Sequence, residues 1–142
     1  MIRFSDHQEY LEAVPAALTG DFATARSCLE SLLAKIGSHA PPEQLAHVLQ
    51  LLADVEAQAG CAEKAQSLHE RALAVDSASP LTLLNHAKSL LRHLRQPAHA
   101  LAQLQAAESL LGSGAWQPGA DHMSREWYQQ QIQMVPAQAL QA

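Results

Sequence analysis

The residues with chemistry to offer are eight histidines, two cysteines and fourteen carboxylic acids, spread over 142 positions. His86 and His93 stand two helical turns apart and share a helix face, and His99 follows across a turn. A zinc centre needs three or four convergent ligands, and no cysteine or carboxylate stands at ligand spacing beside these histidines. They read as solvent-exposed imidazoles on a polar face, and no metal is expected. His69-Glu70 opens like a zinc-protease helix, but Leu73 occupies the place of the second histidine. Cys28 and Cys61 lie 33 residues apart without a Cys-x-x-Cys or zinc-type spacing. Both read as reduced residues, Cys28 inside an amphipathic helix and Cys61 as a surface thiol in a turn. The chain has no Gly-x-Ser-x-Gly elbow, no phosphate-binding loop and no Gly-x-Gly-x-x-Gly. Glu9 with Glu12 is a carboxylate pair of the kind that forms a solvated helix face. The expectation is a protein without catalytic residues or cofactor. An enzyme on a helical scaffold is the more distant alternative, and it requires a deep pocket with convergent ionisable groups.

The elements that position these residues are helices. Alanine and leucine supply 49 of the 142 positions, while valine, isoleucine and threonine together supply 11, too few to furnish a sheet. Apolar residues recur at helical spacing in Leu45, Val48, Leu49, Leu52, Val55 and Ala59, and again in Leu81, Leu84, Ala87, Leu91 and Leu94. Start signals agree with this phase. Ser5 with Gln8 has the spacing of a capping box, and Asp21 stands where it caps the helix that follows. Pro42 suits a first helical position and Glu43 favours its dipole; Ser79-Pro80 and Pro97 repeat the signal further along.

Three turns superpose. Gly20-Asp21-Phe22-Ala23-Thr24-Ala25 corresponds to Gly60-Cys61-Ala62-Glu63-Lys64-Ala65 and to Arg95-Gln96-Pro97-Ala98-His99-Ala100. After Ala25, Ala65 and Ala100 come larger residues, Leu29, His69 and Leu104, and then Leu32, Ala72 and Ala107. The offsets are 40 and then 35, and the five extra residues fall in the loop Gly37-Ser38-His39-Ala40-Pro41-Pro42.

This pattern resembles the tetratricopeptide repeat family, whose unit of about 34 residues is a helix–turn–helix. The resemblance covers roughly residues 6–114 and rests most on Leu49, Leu52, Ala53, Gly60, Ala65 and Ala72. It implies an all-α fold, a right-handed superhelical stack of three antiparallel helix pairs with units at about 6–39, 46–79 and 81–114. The alanines permit close helix approach, where a bulkier residue costs roughly 1–3 kcal/mol. The departures are specific. Ala16, Glu56 and Leu91 stand where the family carries an aromatic residue, and Lys88 stands where the first two units have Ala13 and Ala53. Arg95 replaces the turn glycine, and Pro15 falls inside the first helix, where it removes a hydrogen bond.

Beyond the turn-rich stretch from Gly112 to Gly119, a further helix is expected at about 121–135, capped by Asp121 or Ser124. Trp127, Tyr128, Ile132 and Val135 form its apolar side and Gln129, Gln130, Gln131 and Gln133 its wet side. A solenoid's last unit needs such a cover, so this is the expected C-terminal capping helix of a single domain spanning 1–142. Both tryptophans, Trp116 and Trp127, read as anchors of that cap.

Charge is unevenly divided. Residues 1–76 carry 5 bases against 11 acids, whereas 77–107 carry Lys88, Arg92 and Arg95 with no acid. Three cations in an acidic chain are too few for a nucleic-acid footprint. No apolar run has the length of a signal peptide or membrane span, so a cytoplasmic protein without membrane contact is expected. If the family resemblance holds, the first helix of each pair lines a groove for a peptide or helix of a partner protein. The polar stripe expected there is His47, Gln50, Asp54 and Gln58 in the second pair and Thr82, Asn85, Ser89, Arg92 and His93 in the third. In the first pair it is His7 and Tyr10. The reading is a non-catalytic adaptor or chaperone. The alternative is a scaffold that self-associates, the acidic first half of one copy against the basic third unit of the next.

Overall fold

A computed structural model describes residues 8–76, 79–92, 94–113 and 124–141. Every described element is helical: α1 (Gln8–Leu18), α2 (Phe22–Ile36), α3 (Pro42–Gln58), α4 (Ala62–Val75), α5 (Pro80–Arg92), α6 (Pro97–Leu111) and α7 (Arg125–Gln141), with a single 3-10 turn at Gly37–His39. No described helix is long and apolar enough to cross a membrane.

The start signals act as caps. The Asp21 carboxylate accepts from the Thr24 amide at 3.2 Å, Ser79 Oγ from the Thr82 amide at 3.2 Å, and Ser124 Oγ from the Trp127 amide at 3.0 Å. Each satisfies one of the amides a helix start leaves without an internal partner. Pro42 and Pro97 occupy first-turn positions, where the missing donor costs nothing. Pro15 lies within α1 without ending it. Ser5 and Asp121, the other expected caps, lie outside the described residues.

The three superposed turns share a backbone device. Gly20, Gly60 and Arg95 have φ of 85°, 90° and 56°, and Arg95 is the one described non-glycine residue in that region. The left-handed residue reverses the chain so that following amides reach back to the helix's last carbonyls. Asp21 donates to the Ala16 carbonyl and Cys61 to the Glu56 carbonyl, each at 2.8 Å and spanning five residues. In the third turn the closing bond runs from Gln96 to Leu90, spanning six, with Leu94 bonded to Ser89. The third turn is therefore one residue longer.

That extra residue corrects two positions. The small residue packed in the first helix is Ala13 and Ala53 in the first two hairpins, and in the third it is Ala87, fully buried, rather than Lys88. Likewise the counterpart of Ala16 and Glu56 is the buried Leu90, not Leu91. The second helices keep the expected register: Ala25, Ala65, Ala100, then Leu29, His69, Leu104, then Leu32, Ala72, Ala107 are all buried.

The chain divides into two compact units, Met1–Asp76 and Ser77–Ala142. In the first, α2 packs on both α1 and α3, and α3 on α4. Its core runs from Ala13 through Leu29, Leu32, Val48, Leu49, Leu52 and Ala53 to Leu68 and Ala72. In the second, α5 and α6 pair and α7 packs on both. Tyr128 and Val135 of α7 are buried against Leu84, Ala87, Leu90, Leu104 and Leu111, and Trp127 and Ile132 flank them. Trp127 and Tyr128 meet edge to face at 5.1 Å. Gln129, Gln130 and Gln133 are exposed and Gln131 is half-buried. The helix runs past the expected end near residue 135 and through Pro136 to Gln141. A proline removes one donor and crowds one carbonyl, a local cost that the helix here carries. Trp116 lies outside the described residues.

The turn geometry has a measurable consequence. Nothing lies within 4 Å of a β-carbon built at Gly60, so the strain of Gly60→Ala is purely that of the left-handed backbone. It should cost about 1 kcal/mol or more, whereas Arg95→Gly should gain up to about 1 kcal/mol. Urea midpoints moving in opposite directions at unchanged m-value are the expected result.

Candidate functional site

The residues expected along one polar stripe do not share one environment. On α3, Gln50 is buried, His47 and Asp54 are half-buried and Gln58 is exposed. On α5, Thr82 and Ser89 are buried, Asn85 is half-buried and Arg92 is exposed. His93 and His7 lie outside the described residues, and of Tyr10 only the backbone in α1 is described. The physical reason is coverage. An amphipathic stripe of about 100° suits a helix packed on one side, but α3 packs on α2 and α4, and α5 on α6 and α7. Eight residues of each helix are buried, and the polar positions at the edge of the apolar stripe go inside with them.

What the first unit does present is an apolar groove. A cavity of about 290 Å³ lies between α1 and α3, floored by Leu29 of α2. Ala13 and Ala17 keep the α1 side low, Val14 and Leu18 form one wall, and Leu51 and Val55 the other. Asp54 and Gln58 supply its polar groups, so two of the expected stripe residues do border it. The α1 wall is open to water, Leu18 83% exposed and Val14 37%, and Leu11, one turn earlier and outside the lining, is 56% exposed; Val55 of the facing wall is buried. Such a row of large apolar side chains on one short helix is what a docking surface exposes. The signal was present in the spacing of Leu11, Val14 and Leu18, a second apolar row beside the Ala13–Ala17 row that packs inward. A second cavity, about 510 Å³, lies where α6 ends and α7 begins, with Glu108 and Arg125 of opposite sign and Gln129 and Gln133 in its lining.

Ionisable groups reach into both cores. Glu56 has a side chain only 1% exposed, and it pairs with Arg26 of α2 and, at 3.7 Å, with Lys64 of α4. Burial alone would raise its carboxyl. The Arg26 hydrogen bond and charge, with Lys64 and the Cys61 thiol, more than offset this and hold it below the usual carboxylate range. Lys64 also reaches Glu30 at 3.8 Å. His69 of α4 is fully buried, with Nε2 3.7 Å from Asp54 Oδ1. Cys28 Sγ donates to Glu12 at 3.7 Å, and Cys61 is exposed at the start of α4.

His86 corrects the expectation of a solvent-exposed imidazole: it is fully buried between α5 and α6. Gln103 Nε2 lies 3.2 Å from His86 Nδ1 and 3.3 Å from His99 Nε2, and the two rings meet edge to face at 5.1 Å. An amide nitrogen only donates, so the Gln103 carboxamide makes His86 Nδ1 an acceptor, the role of an uncharged imidazole. Burial, with the charge of His99 adding to it, pushes His86 down to about 4. Burial also lowers His47, and Lys88 is lowered by burial and by Arg92. Among the described residues no three histidine, cysteine, aspartate or glutamate side chains are grouped to hold a metal ion.

Compared with protein-family models, curated proteins and solved structures, the chain matches none of them.

Two predictions follow from the buried charges. Arg26→Met leaves Glu56 buried with Lys64 alone and should cost about 1–3 kcal/mol, less than a fully buried pair because Arg26 is partly exposed. Adding Glu56→Leu should recover most of that loss in a chemical denaturation series. The second concerns acid. A histidine held below its unfolded value leaves stability complete above pH 6.5 and erodes it as pH falls toward about 4, by on the order of 3 kcal/mol. Glu56, also depressed, begins to lose its contribution as pH falls into the ordinary carboxylate range and loses the rest below it. Both tryptophans belong to 77–142, so their fluorescence reports the second unit alone. It should show a decline in urea resistance between pH 6.5 and 4 that His86→Asn abolishes.

Proposed function

We propose that this is a non-catalytic, tetratricopeptide-type interaction module, an adaptor or chaperone of the cytoplasm, and that the groove between α1 and α3 takes a segment of a partner protein. The reading rests on one observation above others: an apolar groove walled by Val14 and Leu18, which with Leu11 one turn earlier are large side chains left open to water on a helix whose other face is committed to the core. The recurring hairpin supports it. A left-handed turn residue and a buried alanine at the start of the second helix recur three times, as in a repeat built to present the first helices of its units. Polar groups are few and peripheral, which suits recognition by shape and apolar contact with Asp54 and Gln58 setting orientation.

The experiment is a selection of peptides from an unbiased displayed library, followed by affinity measurement on the purified chain and on Val14→Gln/Leu18→Gln. Both positions are exposed enough for the variant to fold, with surface substitutions staying within about 0.5 kcal/mol. Selected peptides should lose about tenfold or more in affinity for the variant, a loss of about 1.4 kcal/mol. Peptides that bind both proteins equally would remove the groove assignment.

A second reading, self-association, is favoured by the charge division, −6 over residues 1–76 against +3 over 77–107. Light scattering at low and high salt separates the two, since head-to-tail pairing through opposite charges weakens as salt screens it. A monomer at both salt concentrations excludes self-association.

A further inference from the structure

We infer that the segment taken by this groove is amphipathic and basic, with a lysine or arginine beside its apolar face, and that Asp54 is the group that receives the cation. This rests on the docking reading above and adds the chemistry of the occupant. Among the described residues of the groove's lining, Asp54 is the one ionisable group and there is no base. Its side chain is 42% exposed, so it meets water at the rim while Oδ1 sits 3.7 Å from the buried His69 Nε2. A carboxylate placed in this way, with one oxygen toward the core and its head partly in solvent, has a defined position from which to pair with an incoming cation.

The surroundings agree in sign. The first unit carries 11 acids against 5 bases. Two of those bases, Arg26 and Lys64, are engaged by Glu56 and Glu30 and do not offset Asp54. Glu12, exposed on α1, adds a further negative charge on the helix that forms one wall. The same charges argue against α1 of a second copy as the occupant. That helix carries no base, so its apolar row offers Asp54 no cation and cannot use the acidic surroundings.

The test uses two fluorescein-labelled peptides of about five helical turns with an identical leucine and alanine face, one flanked by lysines and the other by glutamates. Binding is read by anisotropy at low and high salt on the full chain, Asp54→Asn, Gln58→Lys and Leu18→Gln. The lysine peptide should bind at least about fivefold tighter than the glutamate peptide at low salt, and the gap should narrow at high salt. Asp54→Asn should narrow that gap. Gln58→Lys, which leaves the Asp54–His69 contact untouched, should narrow it further, so the result does not hang on one variant's folding. Leu18→Gln should weaken both peptides alike. Equal binding of the two peptides, or a preference indifferent to both rim variants, overturns the basic-partner inference and leaves the groove standing. Failure of both peptides to bind, or binding indifferent to Leu18→Gln, overturns the groove and the inference with it.

Discussion

Each hairpin closes because one residue between its helices adopts a left-handed backbone, and the rest of the structure depends on that reversal. At Gly20 and Gly60 it costs little, since glycine lacks the β-carbon that makes this region unfavourable. The amide beyond then bonds a carbonyl five residues back, which sets the rotation at which the second helix starts. With that rotation set, Ala25 and Ala65 face the first helix, and small side chains there let the backbones come close. Arg95 carries the same reversal with a β-carbon present, and its turn accommodates one more residue. The longer turn moves the packed alanine to 87 and brings His86 inside beside it.

Polar groups in these cores are held by partners from other helices. Glu56 of α3 is ionised because Arg26 of α2 and Lys64 of α4 reach it, so three helices of the first unit are joined through one carboxylate. An ion pair of this kind adds little net stability compared with a well-packed apolar cluster, but breaking half of it is costly. The second unit solves the problem with a side-chain amide. One carboxamide, Gln103, donates to two imidazoles, so His86 needs no counter-charge in a stretch that has none to offer. The first unit thus responds to acid through a carboxylate as well as through His47, and the second through the buried His86.

The groove follows from the same packing. α1 makes its main contact with α2, and its inward row of Ala13 and Ala17 is satisfied by that contact. The row of Leu11, Val14 and Leu18 is left over. Small residues on the α1 side above Leu29 and large ones at the lip give the surface depth. A carboxylate at the edge gives it sign.

Much of the fold was legible because its signals are local. Helix class came from alanine and leucine content, boundaries from Asp21, Pro42, Ser79, Pro97 and Ser124, and the register of the second helices from three superposed turns. These features depend on residues within a few positions of one another, where side-chain and backbone chemistry act directly. The register of α5 was not legible, since Leu90 and Leu91 are the same residue type and no side chain announces a longer turn. Nor was the fate of Gln50, Thr82, Ser89 and His86. A polar residue at the edge of an apolar stripe faces water or core according to how many helices flank its own. That number is set by contacts between segments distant in the chain, so the sequence alone determined the helices and their turns, and the tertiary packing decided which polar groups were buried and where apolar surface was left open.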